Sequence, residues 1–510
     1  MAKTHDMNAE VLVVGAGPTG LVLALWLARR GVAVRIIDKT AEPGTTSRAL
    51  AVQARTLEFY RQLGLADDAV RRGLPFAAIN LWARGKHAGR AAFGDVGEGL
   101  SPYPYLLILP QEEHERLLIE HLERTGVHVE RRTELTGFID HGDRVEARLR
   151  VPDGRDETCT VAWLAGCDGA SSPIREELGL RFPGGTYQHI YYVADVRASG
   201  PITNHELHVA LDDSDFLAVF PLQGEEKVRL VGTIAEAAIA RGTEPTWDDV
   251  STRAMKRLGI TVHKVNWFST YHVHHRVVEH FRTGRVFLAG DAAHIHSPVG
   301  GQGMNTGIGD AVNLAWKFAA VVQGRAAPDL LDRYEPERIR FARRLVKTTD
   351  QVFVFTTRNG PIARLMRFYI IPTLVPWLLQ RRAVRRFMFR TVSQTLLDYR
   401  HSDWSEGRAG SVHGGDRLPW AATPGVDNFA PLSSLDWQIH VYGQVPSGLA
   451  EAAGRHGICV NTFKWNETMA RNHLAPNTAY LIRPDGYVAI AGASAKAVDD
   501  YFERHQVKVG

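Results

Sequence analysis

The residues of this chain best suited to chemistry are three acids, two of them set beside glycines, together with one glycine loop. Asp38 closes the apolar run that begins at Val32, Asp168 sits in Gly166-Cys167-Asp168-Gly169, and Asp291 follows Gly290. The loop is Gly15-Ala16-Gly17-Pro18-Thr19-Gly20, directly after Val11-Leu12-Val13-Val14. Glycines at Gly15, Gly17 and Gly20, with Pro18 and Thr19 between them, permit a tight turn and the close approach of a pyrophosphate to a helix N-terminus. An acid about 20 residues on suits a ribose hydroxyl, and Asp38, with Lys39 beside it, is so placed. The third stretch, Gly290 to Asn305, holds one acid, Pro298 and the glycines Gly300, Gly301 and Gly303 before Met304 and Asn305. It brings backbone amides and a helix N-terminus against something flat, polar and partly anionic.

Elements must position these groups, and the pattern of apolar residues supplies them. Val11–Val14 reads as a strand buried on both faces, Leu21 to Arg30 as an amphipathic helix and Val32 to Asp38 as the next strand, a complete βαβ unit. Trp163 to Arg175 is a second strand, turn and helix, although Asp-Gly before Ser-Ser-Pro also describes an ordinary turn and capped helix. Val286 to Ala289 is a strand before the Gly290 turn, and a helix runs from Thr306 to Gln323. Gln53 to Glu58 leads into a helix whose Arg55 is compatible with a solvated face, and Gln111, after Pro110, with N-terminal capping. From about Arg181 to His274 short strand-like runs separated by turns predict an antiparallel sheet, inserted as a layer over a substrate. Arg338 to Arg390 holds thirteen Lys/Arg against one acid, and its apolar core, Phe368 to Leu379, is broken by two prolines. That core is too short and interrupted to span a bilayer, so helices with one packed and one solvated face are expected. A glycine-, serine- and proline-rich stretch after Tyr399 reads as a linker, followed by a small α/β domain. The expected divisions are 1–180, 181–273, 274–400, the linker 401–425, and 426–510.

At 510 residues the chain calls for several domains. A net charge of +4 gives no footprint for nucleic acid. Three scattered cysteines offer neither a disulfide framework nor metal-ligand spacing, so no metal is expected and a reducing compartment is. The polar N-terminus reads as neither signal nor transit peptide, and the expected location is the cytoplasm.

With these motifs in place, the sequence resembles the single-component, class A FAD-dependent aromatic hydroxylases. Within them it is most similar to the three-domain branch of phenol, 3-hydroxyphenylpropionate and polyketide-tailoring enzymes. Gly15–Gly20, Gly166–Arg175 and Gly290–Asn305 carry the likeness in order. The resemblance implies an α/β fold: a Rossmann-like FAD-binding domain, an inserted antiparallel-sheet substrate domain and a C-terminal thioredoxin-like domain. That last domain has one cysteine, Cys459, and no CxxC, so structural or oligomer contacts, such as a homodimer, are its expected role. By resemblance, Gly15, Gly17 and Gly20 cradle the pyrophosphate and Asp38 holds the adenosine ribose. Arg48 and Gln111 contact the phosphate or ribityl region, Asp168 serves both FAD and NAD(P)H, and Asp291 holds the ribityl chain. Pro298, Gly301, Gly303, Met304 and Asn305 line the isoalloxazine ring. The implied activity is hydroxylation of a phenolic or polyketide-type aromatic through a flavin C4a-hydroperoxide, using O2 and NADPH or NADH. Tyr191, His208 and His272 are the candidate groups on the substrate side, while His294 and His296 read as local hydrogen-bonders. Baeyer–Villiger or epoxidising chemistry, or FAD-dependent binding without catalysis, fits the same scaffold; the Trp-x-Trp-x-Ile-Pro signature of flavin halogenases is absent.

Overall fold

Short runs of β-branched and aliphatic residues build a six-stranded sheet at the centre of the molecule. Its order is Arg282–Thr283, Val286–Leu288, Trp163–Gly166, Val11–Val14, Val34–Asp38 and Val129–Arg131. All neighbours are parallel except the first pair, and the middle strands are buried on both faces, as runs without polar alternation require. This computed structural model describes residues 9–44, 49–76, 78–92, 97–211, 216–234, 244–297, 299–357 and 380–509, with four single positions between 358 and 379. The register sets Val14 beside both Gly166 and Ile37, and Gly166 beside Leu288. The residues following these four strands therefore emerge at one edge, where open α/β sheets bind their ligands. Helix Pro18–Arg29 packs along the 20-residue helix Gly303–Val322, which is buried from Asn305 to Ala320.

An eight-stranded sheet lies beside the first. Its order is His294–Ile295, Thr261–Val277, Gly184–Ser199, Lys227–Thr233, Phe216–Pro221, Leu207–Leu211, Ala78–Ala83 and Lys86–Ala92. The last two strands come from within the expected segment 1–180, so the sheet is not built by 181–273 alone. One face is closed by Val250, Ala254, Met255 and Leu258 packing on Tyr192, Ala194, Leu217 and Leu230. On the other face Leu207, Val209 and Phe220 meet Leu50, Phe76 and Ile108 of a three-stranded sheet, Ala51–Val52, Leu106–Ile108 and Leu74–Phe76.

The C-terminal unit is a six-stranded sheet flanked by helices Leu449–Arg455 and Ala495–His505. The expected linker 401–425 is structured instead. Glu406–Ala409 pairs in parallel with Val488–Ala491, and Val412–His413 folds back on it. Glycine and serine there serve tight turns within a sheet rather than a tether. Arg55 also departs from expectation: it is buried, bonded to Glu58 at 2.9 Å and to the Asp485 carbonyl at 2.8 Å, and reaches into the C-terminal unit. No described helix is long and apolar enough to cross a membrane. The apolar core Phe368 to Leu379 lies largely outside the described residues.

Candidate active site

The first glycine loop leaves its strand at Gly15, whose φ of +102° disfavours any side chain. A Cβ there would also fall inside the Cys167 carbonyl. Gly17 has no atom within 4 Å of such a Cβ, so the backbone beside it is open to a ligand. Helix Pro18–Arg29 then begins with no side-chain cap and no acid in its first turn. An uncapped helix start of this kind suits an anion, and a pyrophosphate fits. Asp38 accepts hydrogen bonds from the amides of Ala16 (2.7 Å) and Thr40 (2.8 Å) and from the Thr40 hydroxyl (2.6 Å). Of roughly four acceptor directions on a carboxylate, one remains for a ribose hydroxyl. Lys39 is exposed beside it.

Asp168 and Asp291 stand at the next two strand ends. The Asp168 carboxylate accepts from the Ile174 amide at 3.3 Å through Oδ2, while its buried Oδ1 has no hydrogen-bond partner among the described residues. Burial pushes this carboxyl above its ordinary range, against Ser172, the Ile174 amide and Arg175, which draw it down. A buried acceptor left unmade costs about 1–3 kcal/mol, so Oδ1 marks where a ligand donor belongs. Arg175 ties the two acid turns together, donating to the Ala292 carbonyl at 3.0 Å and the Ala170 carbonyl at 2.9 Å. Asp291 is exposed on its turn.

Beyond it lies a flat wall. Gly300 and Gly301 have φ of +77° and +61°, and a Cβ on Gly301 would come within 2.7 Å of the Ala51 side chain. Gln53 donates to the Gly300 carbonyl at 2.9 Å. The Asn305 amide is wholly engaged: its oxygen accepts from the Gln53 amide (2.9 Å) and the Thr56 hydroxyl (2.7 Å), and its nitrogen donates to the carbonyls of Ala51 (2.8 Å) and Gly301 (2.7 Å). Asn305 therefore shapes the wall, and only its backbone is left for a ligand. The helix starting at Gly303 again has no side-chain cap and no acid in its first turn. Met304 packs its sulfur 3.2 Å from the buried His114 ring, which Tyr60 also engages. Gln111 does not cap its helix; its side chain accepts from the Ala49 amide at 3.3 Å and donates to Glu115 at 2.8 Å. Arg48 and Pro298 lie outside the described residues.

The pairing of the eight-stranded sheet sorts the three substrate-side candidates between its two faces. Tyr191 pairs with Tyr271 and Thr233, on the face whose Leu207, Val209 and Phe220 reach Leu50. His208 pairs with Val219, one residue out of phase, and so lies on the far face. There it is locked between Trp82, which donates to Nδ1 at 3.0 Å, and Asn204 at 2.8 Å from Nε2. Burial holds it neutral, down to about 4. His272 alternates with Tyr271, so it too points away, and it is exposed. Only Tyr191 lies on the face that reaches Leu50, clustered with Val273, Tyr187, Phe216 and Tyr271. The same face carries Arg229, 1% exposed and paired in two bonds to Asp195 at 2.6 and 2.7 Å. An Arg and an Asp alternating into an apolar face were the signal for that pair.

A second group missing from the sequence expectations supports the Gly290 turn. Asp310, on the long helix, accepts from the Gly290 amide at 3.1 Å, from His294 at 2.6 Å and from Arg338 at 2.6 Å. All three side chains are buried. An acid among the apolar residues Ile308 to Phe318 was its signal, since buried charges are paired. His294 and His296 are local hydrogen-bonders, the latter to the Ser297 carbonyl at 2.8 Å.

Comparison with known proteins shows the family. A family model described as an FAD binding domain matches residues 8–349. The chain is 37% identical to 6-methylpretetramide 4-monooxygenase of Streptomyces rimosus, over 95% of this chain and 90% of that one. It is 30% identical to a flavin-dependent monooxygenase of Mycobacteroides abscessus, over 97% and 99%. Among solved structures, the anhydrotetracycline hydroxylase OxyS of Streptomyces rimosus superposes with a TM-score of 0.78 at 28% identity, covering 99% of each chain.

Proposed function

Because this chain belongs to the FAD-binding family of flavin-dependent aromatic monooxygenases, we propose that its substrate is a fused-ring phenol of the polyketide type. Hydroxylation is proposed at a ring carbon ortho or para to a phenol oxygen. The observation that carries this reading is the aromatic cluster Tyr187, Tyr191, Phe216 and Tyr271 on the face of the second sheet that packs on Leu50, the neighbour of Ala51 against which Gly301 is seated. The activities named for the similar proteins, on 6-methylpretetramide and on anhydrotetracycline, support a flat polycyclic substrate.

The cofactor, FAD reduced by NAD(P)H, supplies an oxygen atom from O2 in activated form. The chain's residues do the rest. The loop at Gly15–Gly20 and the uncapped helix behind it would hold the pyrophosphate, Asp38 the adenosine ribose, and Asp168 and Asp291 the hydroxyls of the ribityl chain. The amides at Gly303 would stabilise negative charge at the edge of the ring. Gln53 and Asn305 keep that turn rigid, so no reorganisation is needed when charge develops. Burial, reinforced by Tyr271, pushes the Tyr191 phenol well above its ordinary value. Tyr191 therefore keeps its proton at neutral pH and acts as a donor that orients a substrate oxygen, not as a base.

A panel of one-, three- and four-ring phenols tests the substrate class by stimulated NAD(P)H oxidation. Fused-ring phenols are expected to stimulate at least about tenfold more than monocyclic ones. Equal stimulation by phenol itself would overturn the polycyclic reading.

A further inference from the structure

The C-terminal unit has no redox pair, yet it is joined to the flavin wall by an unbroken line of buried polar bonds. The line starts at the Gly290 amide, held by Asp310 at 3.1 Å. Asp310 is gripped by Arg338 Nε at 2.6 Å, and Arg338 Nη1 donates to the Tyr399 hydroxyl at 3.0 Å. The third guanidinium nitrogen donates to the Thr306 carbonyl at 3.0 Å. Tyr399 in turn belongs to the C-terminal unit by its contacts. Its amide donates to the Gly415 carbonyl at 2.7 Å, its ring lies 4.3 Å from that of Tyr487, and the Arg483 guanidinium sits 5.1 Å above it. Arg483 clamps Glu337, the chain neighbour of Arg338, at 2.8 and 3.1 Å and is itself held by Asp485 at 2.6 Å.

We infer that the Tyr399 hydroxyl is a positioning group through which the C-terminal unit sets the Gly290–Asp291 turn against the cofactor. The inference rests on the assignment of that turn to the cofactor site. Arg338 is fixed at three nitrogens, one by each neighbour, and Tyr399 is the neighbour that the C-terminal unit controls. Without the hydroxyl, Nη1 loses its acceptor in a buried setting and the guanidinium reorients to recover one. Asp310 follows, because Arg338 accounts for one whole side of its carboxylate. The Gly290 amide and His294 then lose their common acceptor, and the acid that follows Gly290 shifts with them. A displacement of a few tenths of an ångström is enough to weaken a ligand held by directed hydrogen bonds.

The test compares Tyr399→Phe with Tyr501→Phe. The second removes an equally buried hydroxyl in the same unit, bonded to the Trp404 carbonyl at 3.1 Å and away from Asp310. FAD affinity is titrated on apoprotein by flavin fluorescence, well below the melting temperature of each variant. Both variants are expected to melt earlier. Only Tyr399→Phe is expected to weaken FAD binding, by about threefold or more, and to shift the visible flavin band. Arg338→Lys, which keeps the charge but cannot span Asp310 and Tyr399, is expected to match it and serves in its place if Tyr399→Phe does not fold. Affinity within threefold of the Tyr501→Phe control, with an unshifted spectrum, overturns the inference. Asp291→Ala, measured alongside, separates the two levels. If it too leaves affinity unchanged, the site assignment fails; if it alone weakens binding, only the positioning role fails.

Discussion

Asp168 and Asp291, the two acids proposed for the ribityl chain, stand in opposite surroundings. Asp291 stands exposed, whereas Asp168 is half-buried, with its Oδ1 shut off from solvent and lacking a partner among the described residues. Asp168→Asn keeps an acceptor for the Ile174 amide and removes a costly buried charge. It is expected to stabilise the apoprotein by about 1 kcal/mol while weakening FAD by about tenfold or more, since a function-bearing acid is held at the expense of stability. Calorimetry of the apoprotein with a parallel FAD titration checks both; a lower melting temperature with unchanged affinity would contradict the assignment. On the substrate side, Tyr191→Phe is expected to lower kcat by about tenfold with little change in KM, because it removes a donor without emptying space. His208→Gln, on the far face of the sheet, is expected to leave kcat within about threefold and to cost stability instead. Steady-state kinetics on the two variants decides between the faces.

At the scale of elements, the strands and helices that carry the cofactor motifs were legible because their patterns are local. Strand Val11–Val14, the glycine loop and helix Pro18–Arg29 lie within 19 residues, and the long helix begins at Gly303, three residues before its apolar period becomes visible. The second sheet was legible as strands but not as an assembly. That Ala78–Ala83 pairs in parallel with Leu207–Leu211 follows from tertiary packing, which no nearby residue announces. The faces of Tyr191, His208 and His272 were hidden for the same reason: a single step of register inverts them. The stretch 401–425 misled because glycine and serine mark tight turns as readily as tethers. Docking of the C-terminal unit was equally hidden. It depends on Glu337, which receives Lys317 at 2.8 Å and Arg483 at 2.8 Å in a fully buried cluster, and these cations hold its carboxyl far below the ordinary range. Glu337→Gln leaves those cations short of charge and is expected to cost about 3–5 kcal/mol in a urea titration. A loss under about 1 kcal/mol would show that the cluster is not the joint between the units.

Across the whole molecule the buried histidines set the response to acid. His114, His208, His296 and His440 are held by burial at about 3, 4, 4 and 3, below the ordinary 6.5. The unfolded chain takes up protons that the fold refuses. Stability is therefore complete above pH 6.5 and falls as pH drops toward 4, by about 1.4 kcal/mol per pH unit for each histidine. Urea midpoints at pH 7.5 and 5.5 should differ clearly; equal midpoints would mean that these rings titrate freely in the fold. Hydroxylation of a fused-ring phenol also belongs to the whole molecule, because it needs both sheets and the cofactor together. It is tested most directly by turnover of a fused-ring phenol under 18O2 with FAD and NADPH, followed by mass spectrometry of the product. The product is expected to carry one added oxygen atom, derived from the gas, on a ring carbon ortho or para to a phenol oxygen. NADPH consumption that yields only hydrogen peroxide across the polycyclic panel, with no labelled product, would contradict it.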